Sequence, residues 1–433
     1  MIKVTTYHQT NLLLALLLLS ILLGPAAFNI ISVIFTVKII YNLIKNKDFE
    51  YFNQNWFKLV SILFVIFIIS SLKSEFTDLI IFKNFALIRF PLLALCVQYC
   101  LQEYKNTNFF LLTIVFMTIF ISIDSLVQYF FGVNLFGNNL NQEVISRIRL
   151  TSIFGDEEIV GSFLIKFICL GAAGCLVFFK INKFVIYSYY ILIGTTILLS
   201  QERMAFILFS FLTFIIFFYE IWKNRIKSSS MIAIIFLIVI SLSLTNDKSL
   251  KARYLSIFTS ASGLANIEFD SSNKPINNIQ TFSDYKKVEF SVKDSLWGAH
   301  FVTAFNIFKQ NLILGSGTRS FRYECGKAKY QNLDIHYIEK RCSTHPHNYY
   351  LEILSENGIV GFLYFFFLLT LFYYCEFKFF LKTRNYKHIF GVLAIFINLW
   401  PIASTGSIYS SFNGLIIWIT IGYVLSFSKN KTK

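Results

Sequence analysis

Apolar residues in this chain form long unbroken blocks separated by short polar punctuation, without the strict alternation of a half-buried strand. Several blocks reach the roughly 20 residues a helix needs to cross about 30 Å of hydrocarbon. The pattern predicts spans near 8–24, 26–44, 56–72, 79–101, 109–131, 157–179, 184–200, 204–222, 229–245, 349–375, 387–404 and 409–427, about twelve transmembrane helices. A spanning barrel would show segments of about ten residues alternating apolar and polar. Met231 to Ile240 runs apolar without alternation, so the expectation is an all-α polytopic membrane protein. Gly24-Pro25 interrupts the first apolar block, and the Leu-rich run before it has a second reading as a signal peptide ending near Ala26-Ala27.

One polar interval stands out. About 100 residues separate the ninth and tenth predicted spans, far beyond an ordinary connection. The chain therefore divides into spans one to nine (1–245), a large loop (246–348) and spans ten to twelve (349–433). Within the loop, 260–283 is rich in Ser, Asn and Asp and reads as flexible. Near 294–310, Leu296, Trp297, Phe301, Ala304, Phe305 and Phe308 recur at helical spacing behind an Asp294 or Ser295 N-cap, which predicts an amphipathic helix lying along the membrane surface. Gly315-Ser316-Gly317 then stops it.

Composition agrees: 55% of residues are hydrophobic, 15% are charged, and mean hydropathy is +0.60. The formal charge of +15 raises the question of nucleic acid, and the placement of the cations answers it. Lys3, Lys45, Lys47, Lys58, Lys105, Lys180, Lys183, Lys223, Arg225, Lys227, Lys378, Lys382, Arg384, Lys387, Lys429, Lys431 and Lys433 fall on one set of alternate connections. The other short connections hold only Lys73, Arg147, Arg149 and Arg203. This asymmetry predicts both termini in the cytoplasm of a bacterial inner membrane, the large loop outside in the periplasm, membrane lipid as a partner and no nucleic acid. Four of the seven cysteines lie inside spans and Cys375 near a helix end. Cys325 and Cys342 share the large loop, either as free thiols or as a disulfide if the compartment is oxidising.

Candidate chemistry concentrates where the loop enters span ten, in Ser343-Thr344-His345-Pro346-His347-Asn348 and onward through Gly358 and Gly361. Two imidazoles stand there, the side chain best suited to proton transfer near neutral pH. Gly358 and Gly361 offer a small-residue surface that another helix can approach closely; the plain alternative is a polar cap followed by ordinary packing. Inside the predicted spans, Lys83, Arg89 and Lys166 are charges that cost free energy and point to function, with snorkelling the other reading for Lys83 and a pairing with Asp124 the other reading for Lys166. Asp156-Glu157-Glu158 either takes part in proton transfer or sugar binding, or complements a helix dipole. Arg319, Arg322 and Arg341 either meet phosphates or solvate the loop.

His347, Asn348, Gly358 and Gly361 fit the signature of the O-antigen ligase and O-antigen polymerase superfamily: His, then Asn, Ser or Gln, nine residues of any kind, then Gly-x-x-Gly. Gln201 to Ala205 resembles that family's Arg element at the outer end of a helix, with only Arg203 matching well. Arg147 to Gly155 and Leu314 to Gly317 are similar to two further outer segments. The resemblance implies a GT-C-like inverting membrane glycosyltransferase that moves a glycan from an undecaprenyl diphosphate carrier to a hydroxyl of lipid A-core, as a ligase, or of the growing glycan, as a polymerase. Transfer to a protein hydroxyl is a third, related possibility. It implies His347 activating the acceptor hydroxyl and Arg203 on the diphosphate, arginine being suited to it because its planar fork binds phosphate in a bidentate manner. Arg89, Arg147, Arg149, Lys83, His345 and Asn348 complete the expected substrate-binding set. Too few histidines, no Asp-x-Asp pair in the outer loops and no nucleotide-binding glycine fingerprint lead us to expect neither metal nor soluble cofactor. A transporter or flippase using the buried cations is the competing class, and the paired halves of broken helices common in transporters are missing from the pattern.

Overall fold

The computed structural model describes residues 2–140, 149–178, 183–222, 250, 254, 296–335 and 337–428. Every regular element among them is helical, and the single β-bridge is Val133 with Asn139. The helices are α1 (Ile2–Leu19), α2 (Pro25–Asn46), α3 (Asn55–Leu72), α4 (Thr77–Phe85), α5 (Arg89–Glu103), α6 (Thr107–Phe131), α7 (Val160–Phe178), α8 (Lys183–Leu199) and α9 (Arg203–Trp222). Within the large loop lies α10 (Leu296–Gln310), and after it come α11 (Tyr349–Thr383), α12 (Tyr386–Asn398) and α13 (Ser411–Leu425).

Burial along the helices identifies the solvent they are built for. In α2 the buried face carries Ser32, Thr36 and Asn42 between Phe28, Phe35, Ile39 and Leu43. Its outward face is Ile30, Val33, Ile34, Val37, Tyr41 and Ile44. A soluble helix puts its polar side out; here the polar side is in, and the exposed stripe from Ile30 to Ile44 is apolar apart from Lys38, whose ammonium lies over the Tyr41 ring. The outer face of α11 repeats this with Leu363, Phe366, Phe367 and Phe377. Six helical stretches among the described residues are long and apolar enough to cross a membrane, with α4 and α5 forming one of them, and five shorter apolar helices accompany them. These correspond to all the expected spans except 229–245, which lies outside the described residues. The chain is a multi-pass membrane protein.

At the centre stands α7, buried on nearly every side from Val160 to Cys175, with α6, α8 and α12 packed against it. On the other flank α13 packs on α5 and α2, while α3 and α10 pack on α11. Leu14, Leu17 and Leu18 are fully buried and α1 packs on α6 and α2, so the Leu-rich run is part of this bundle.

The connections sort to two ends. Tyr99 reaches Asp48 and Asn46, Tyr51 reaches Glu103, and Gln102 reaches Ser428, so the lysine-bearing connections around 47, 105 and 428 share one end. The turns near 24, 155, 320, 345 and 410 meet around a cavity at the other. Local signals set the helix ends: Gly24 at φ 96 with Pro25 at the first position of α2, Gly132 in the left-handed region after α6, and Asn385 and Ser410 capping α12 and α13.

Two expectations need correction. Lys166 does not pair with Asp124, which instead accepts from the Leu135 N–H (2.9 Å) and from the Asn134 and Ser152 side chains; the Lys166 ammonium donates to the Asn413 side chain and lies over the Phe412 ring. Gly358 is not a helix-packing surface. It sits at φ 63, ψ −166 and breaks α11 into two segments. That conformation is reserved for glycine, since a side chain there collides with the backbone.

The break is filled by the glycine-bearing loop that follows α10. The Ile359 and Val360 N–H groups donate to the Leu312 and Ile313 carbonyls (2.8 and 3.2 Å). In return the Ser316 and Gly317 N–H groups donate to the Ser355 and Glu356 carbonyls (3.0 and 2.9 Å). Backbone groups freed by the kink are thereby satisfied inside the bundle, as a membrane protein requires. Ser70 of α3 adds its hydroxyl to the Leu314 and Glu356 carbonyls.

Candidate functional site

At the end away from the lysine-bearing connections lies a cavity of about 910 Å³. Its apolar side comes from the α1–α2 turn (Ile21 to Leu23, Pro25), Ile80 of α4, and Ile153, Phe154 and Ile159. The same lining carries Lys83, Arg319, Arg322 and His345, with Lys83 one turn from Ile80 on α4, and Glu157 is the carboxylate in the lining. Leu23 of this lining is 77% exposed, so the apolar lining reaches the outward surface of the bundle. An amphiphile with an anionic head fits such a lining: apolar surface for a chain, guanidinium and ammonium groups for the head.

The loop from 315 to 323 sets the cationic wall. Arg319 takes a left-handed φ of 64, which turns its side chain back over the cavity. Its guanidinium donates to the Lys83 carbonyl (3.3 Å) and to the Tyr409 carbonyl, while its N–H donates to the Glu356 carboxylate (2.6 Å). Burial, with Arg89 nearby, holds Arg319 below the usual guanidinium range. Arg322, one turn on, is exposed to the cavity and makes no ion pair among the described residues.

The imidazoles form a cluster. The His347 ring lies 4.2 Å from His345 and 5.0 Å from His300 of α10, centroid to centroid, with Trp297 at 4.8 Å. His345 Nε2 meets the Thr405 carbonyl at 3.2 Å and therefore donates, leaving Nδ1 to accept from the Thr344 hydroxyl at 2.8 Å. The Thr405 N–H donates to the His347 carbonyl (2.8 Å), at a residue whose φ is 57. Burial first, and then the other imidazoles, push His347 down to about 3. For His345 burial leads, Arg322 and His300 add to it, and the group falls to about 4. All three rings are thus neutral near pH 7, the form in which an imidazole accepts a proton.

The expected residues take the following places. His345 and Lys83 line the cavity, and His347 stands behind His345. Arg89 stacks over Phe90 and reaches the Ser411 hydroxyl (3.3 Å) at the cavity rim. Asn348 caps α11: its oxygen accepts from the Tyr350 and Leu351 N–H groups (3.1 Å each) and its amide donates to the Pro401 carbonyl (2.7 Å). Its side chain is committed to holding the helix start against the 399–405 segment. Arg149 pairs with Glu158 at 2.7 Å. Arg203 opens α9 outside the cavity lining, next to Glu202, which accepts from the Gly161 N–H (2.5 Å) at the start of α7. Burial raises the Glu202 carboxyl to about 7. Arg147 lies outside the described residues.

Arg319 and Arg322, which the sequence left between meeting phosphates and solvating the loop, line the cavity, and the structure adds residues the expected set lacked: His300 in the imidazole cluster, and Glu352, Glu356 and Tyr409 beneath them. Glu352 and Glu356 carried a signal, since two carboxylates four apart at the start of an apolar run share one helix face. His300 carried none, being a lone imidazole in a surface helix. In α10 itself the buried side is Ala299, His300, Thr303, Ala304 and Ile307, while Trp297 and Phe305 of the expected apolar stripe face outward. Cys325 and Cys342 are joined in a disulfide across 17 residues, with Arg341 donating to the Cys325 carbonyl (3.2 Å).

These features define a helical multi-pass membrane protein with a cationic, imidazole-flanked cavity at one end. Residues 188–366 match the family described as O-antigen ligase, a stretch that contains α9, α10, the Arg319–Arg322 wall, the imidazole cluster and the break at Gly358. This match, together with the motif it contains, supports a likeness to the O-antigen ligase superfamily, whose members are membrane glycosyltransferase-like enzymes. A comparison with curated proteins returns no match.

Proposed function

We propose that the protein is an O-antigen ligase, transferring a glycan from undecaprenyl diphosphate to a sugar hydroxyl of lipid A-core on the periplasmic face of the inner membrane. One observation carries the reading: a cavity that combines apolar lining from the α1–α2 turn with Lys83, Arg319 and Arg322, flanked by the imidazole cluster. The lysine-bearing connections gathered at the far end support an orientation with that end in the cytoplasm.

In this reading the polyprenyl chain lies along Ile21 to Pro25 and Ile80, and the diphosphate meets Arg319, Arg322 and Lys83. Charge develops on the leaving diphosphate as the glycosidic bond breaks, and cations fixed in place before the reaction stabilise it without reorganisation. The acceptor hydroxyl approaches from the imidazole side, where neutral His347 takes its proton and His345, oriented by Thr405, stands between it and the cavity. Arg89 and Arg203 are flanking cations, at the rim and on the α8–α9 turn.

The test is electrophoresis of lipopolysaccharide from cells carrying His347→Ala or Arg322→Ala. Loss of capped core with accumulation of carrier-linked polymer is the expected result. Shortened chains would move the assignment to a polymerase, and an unchanged profile, or labelling of residue 347 on the same side as the C-terminal tail, would overturn it.

A further inference from the structure

Two carboxylates lie under the site and take no part in the transfer derived above. Glu352 and Glu356, 2% and 1% exposed, occupy successive turns of the first segment of α11. Glu356 accepts from two backbone N–H groups, those of Arg319 (2.6 Å) and Phe321 (3.0 Å). Glu352 accepts from the Ser407 hydroxyl (2.5 Å) and the Ile408 N–H (2.9 Å). Asn357, in the following position, repeats the bridge: its amide donates to the Thr318 hydroxyl (2.6 Å) and its oxygen accepts from the Tyr409 hydroxyl (2.7 Å).

Each carboxylate therefore holds one loop, and the two loops carry different halves of the site. The Glu356 loop bears Arg319 and Arg322; the Glu352 loop bears Thr405, whose carbonyl orients His345 and whose N–H holds the His347 carbonyl. One helical turn, about 5.4 Å, sets the spacing between them. We infer that Glu356 and Glu352 are positioning residues, which fix the cationic wall and the imidazole wall at the separation that a diphosphate-linked donor and its acceptor need. This inference rests on the proposed reading for the identity of the ligand, but not for the geometry.

The partners make the two positions chemically unequal. Glu356 faces two donors that cannot reverse, so a glutamine there satisfies one N–H and sets its own NH₂ against the other. Glu352 faces one N–H and one hydroxyl. A glutamine there accepts from Ile408 and donates to Ser407, because a hydroxyl serves in either role.

The experiment measures binding of undecaprenyl diphosphate to the full-length protein in nanodiscs. Glu356→Gln is expected to weaken binding about tenfold or more, the scale of one buried N–H left unsatisfied; Glu352→Gln stays within about twofold, as its bonds are retained. Glu356→Asp, which keeps both acceptors on a shorter arm, recovers part of the loss. Equal losses for the two glutamine variants would mean that charge alone matters and would overturn the inference, as would wild-type affinity in Glu356→Gln. If the wild-type protein binds no undecaprenyl diphosphate, the donor reading fails instead. Amide hydrogen exchange then decides the geometry: Glu356→Gln speeds exchange at 319–321 and Glu352→Gln does not, and identical exchange in both variants overturns the positioning role.

Discussion

Replacing Gly358 by alanine puts the kink in α11 to the test. A Cβ at this position would stand 2.4 Å from the Ile313 oxygen, 2.5 Å from its carbonyl carbon and 2.6 Å from the Gly315 nitrogen. All three are backbone atoms and cannot swing aside as a flexible side chain does. The φ of 63 with ψ of −166 adds about 1–3 kcal/mol of strain for a non-glycine residue. Relief requires the loop to leave the break, which gives up the bonds from Ile359 and Val360 at about 0.5–1.5 kcal/mol each. The cost is thus about 2–6 kcal/mol, concentrated in the loop that carries Arg319. We expect Gly358→Ala to lower the melting temperature by several degrees in detergent, to raise hydrogen exchange in 311–317, and to abolish glycan transfer in cells. Gly326→Ala, where the added carbon meets only the Tyr323 oxygen at an ordinary 3.6 Å, is the matched control and should behave as wild type. A Gly358→Ala protein with wild-type melting and an equally protected loop would refute the account of the break.

Other perturbations follow from the same geometry. The folded-state values of about 3 for His347 and about 4 for His345 lie below the unfolded value of about 6.5. The unfolded chain therefore binds more protons across that window, and these groups support the fold above about pH 6.5 and progressively less as pH falls toward their folded values. Thermal melts between pH 7.5 and 4 should show this slope, and His347→Gln should flatten it. Reducing Cys325–Cys342, or replacing either cysteine by serine, opens a loop of 17 residues and should destabilise 321–342 by about 3 kcal/mol, read as faster hydrogen exchange there. Asn348→Ala removes the cap of α11 and the bond to Pro401; a loss of about 1 kcal/mol in stability is expected. Arg322→Ala removes a cation that the fold does not use, so melting should be unchanged while undecaprenyl diphosphate binding weakens.

Local hydropathy alone fixed much of this protein. The positions of the described helices and the lysine-rich connections at one end were legible along the chain, because a span is specified by its own twenty or so residues. Cys325 and Cys342 were marked as a possible pair, and only their approach to a Cα separation of 5.4 Å decided the matter. What the tertiary structure decided is how distant loops meet. Gly358 reads in sequence as a small packing residue; its left-handed kink exists because carbonyls and N–H groups some 40 residues earlier enter the break. Lys166 lacked its expected partner because loop geometry had already surrounded Asp124 with Asn134, Leu135 and Ser152. Arg319 and Arg322 became the cationic wall because Glu356 turns their loop inward. Segments specify their own helices through local burial and hydrogen bonding, whereas a cavity is made by backbone groups far apart in the chain satisfying one another, and no local pattern records which will do so.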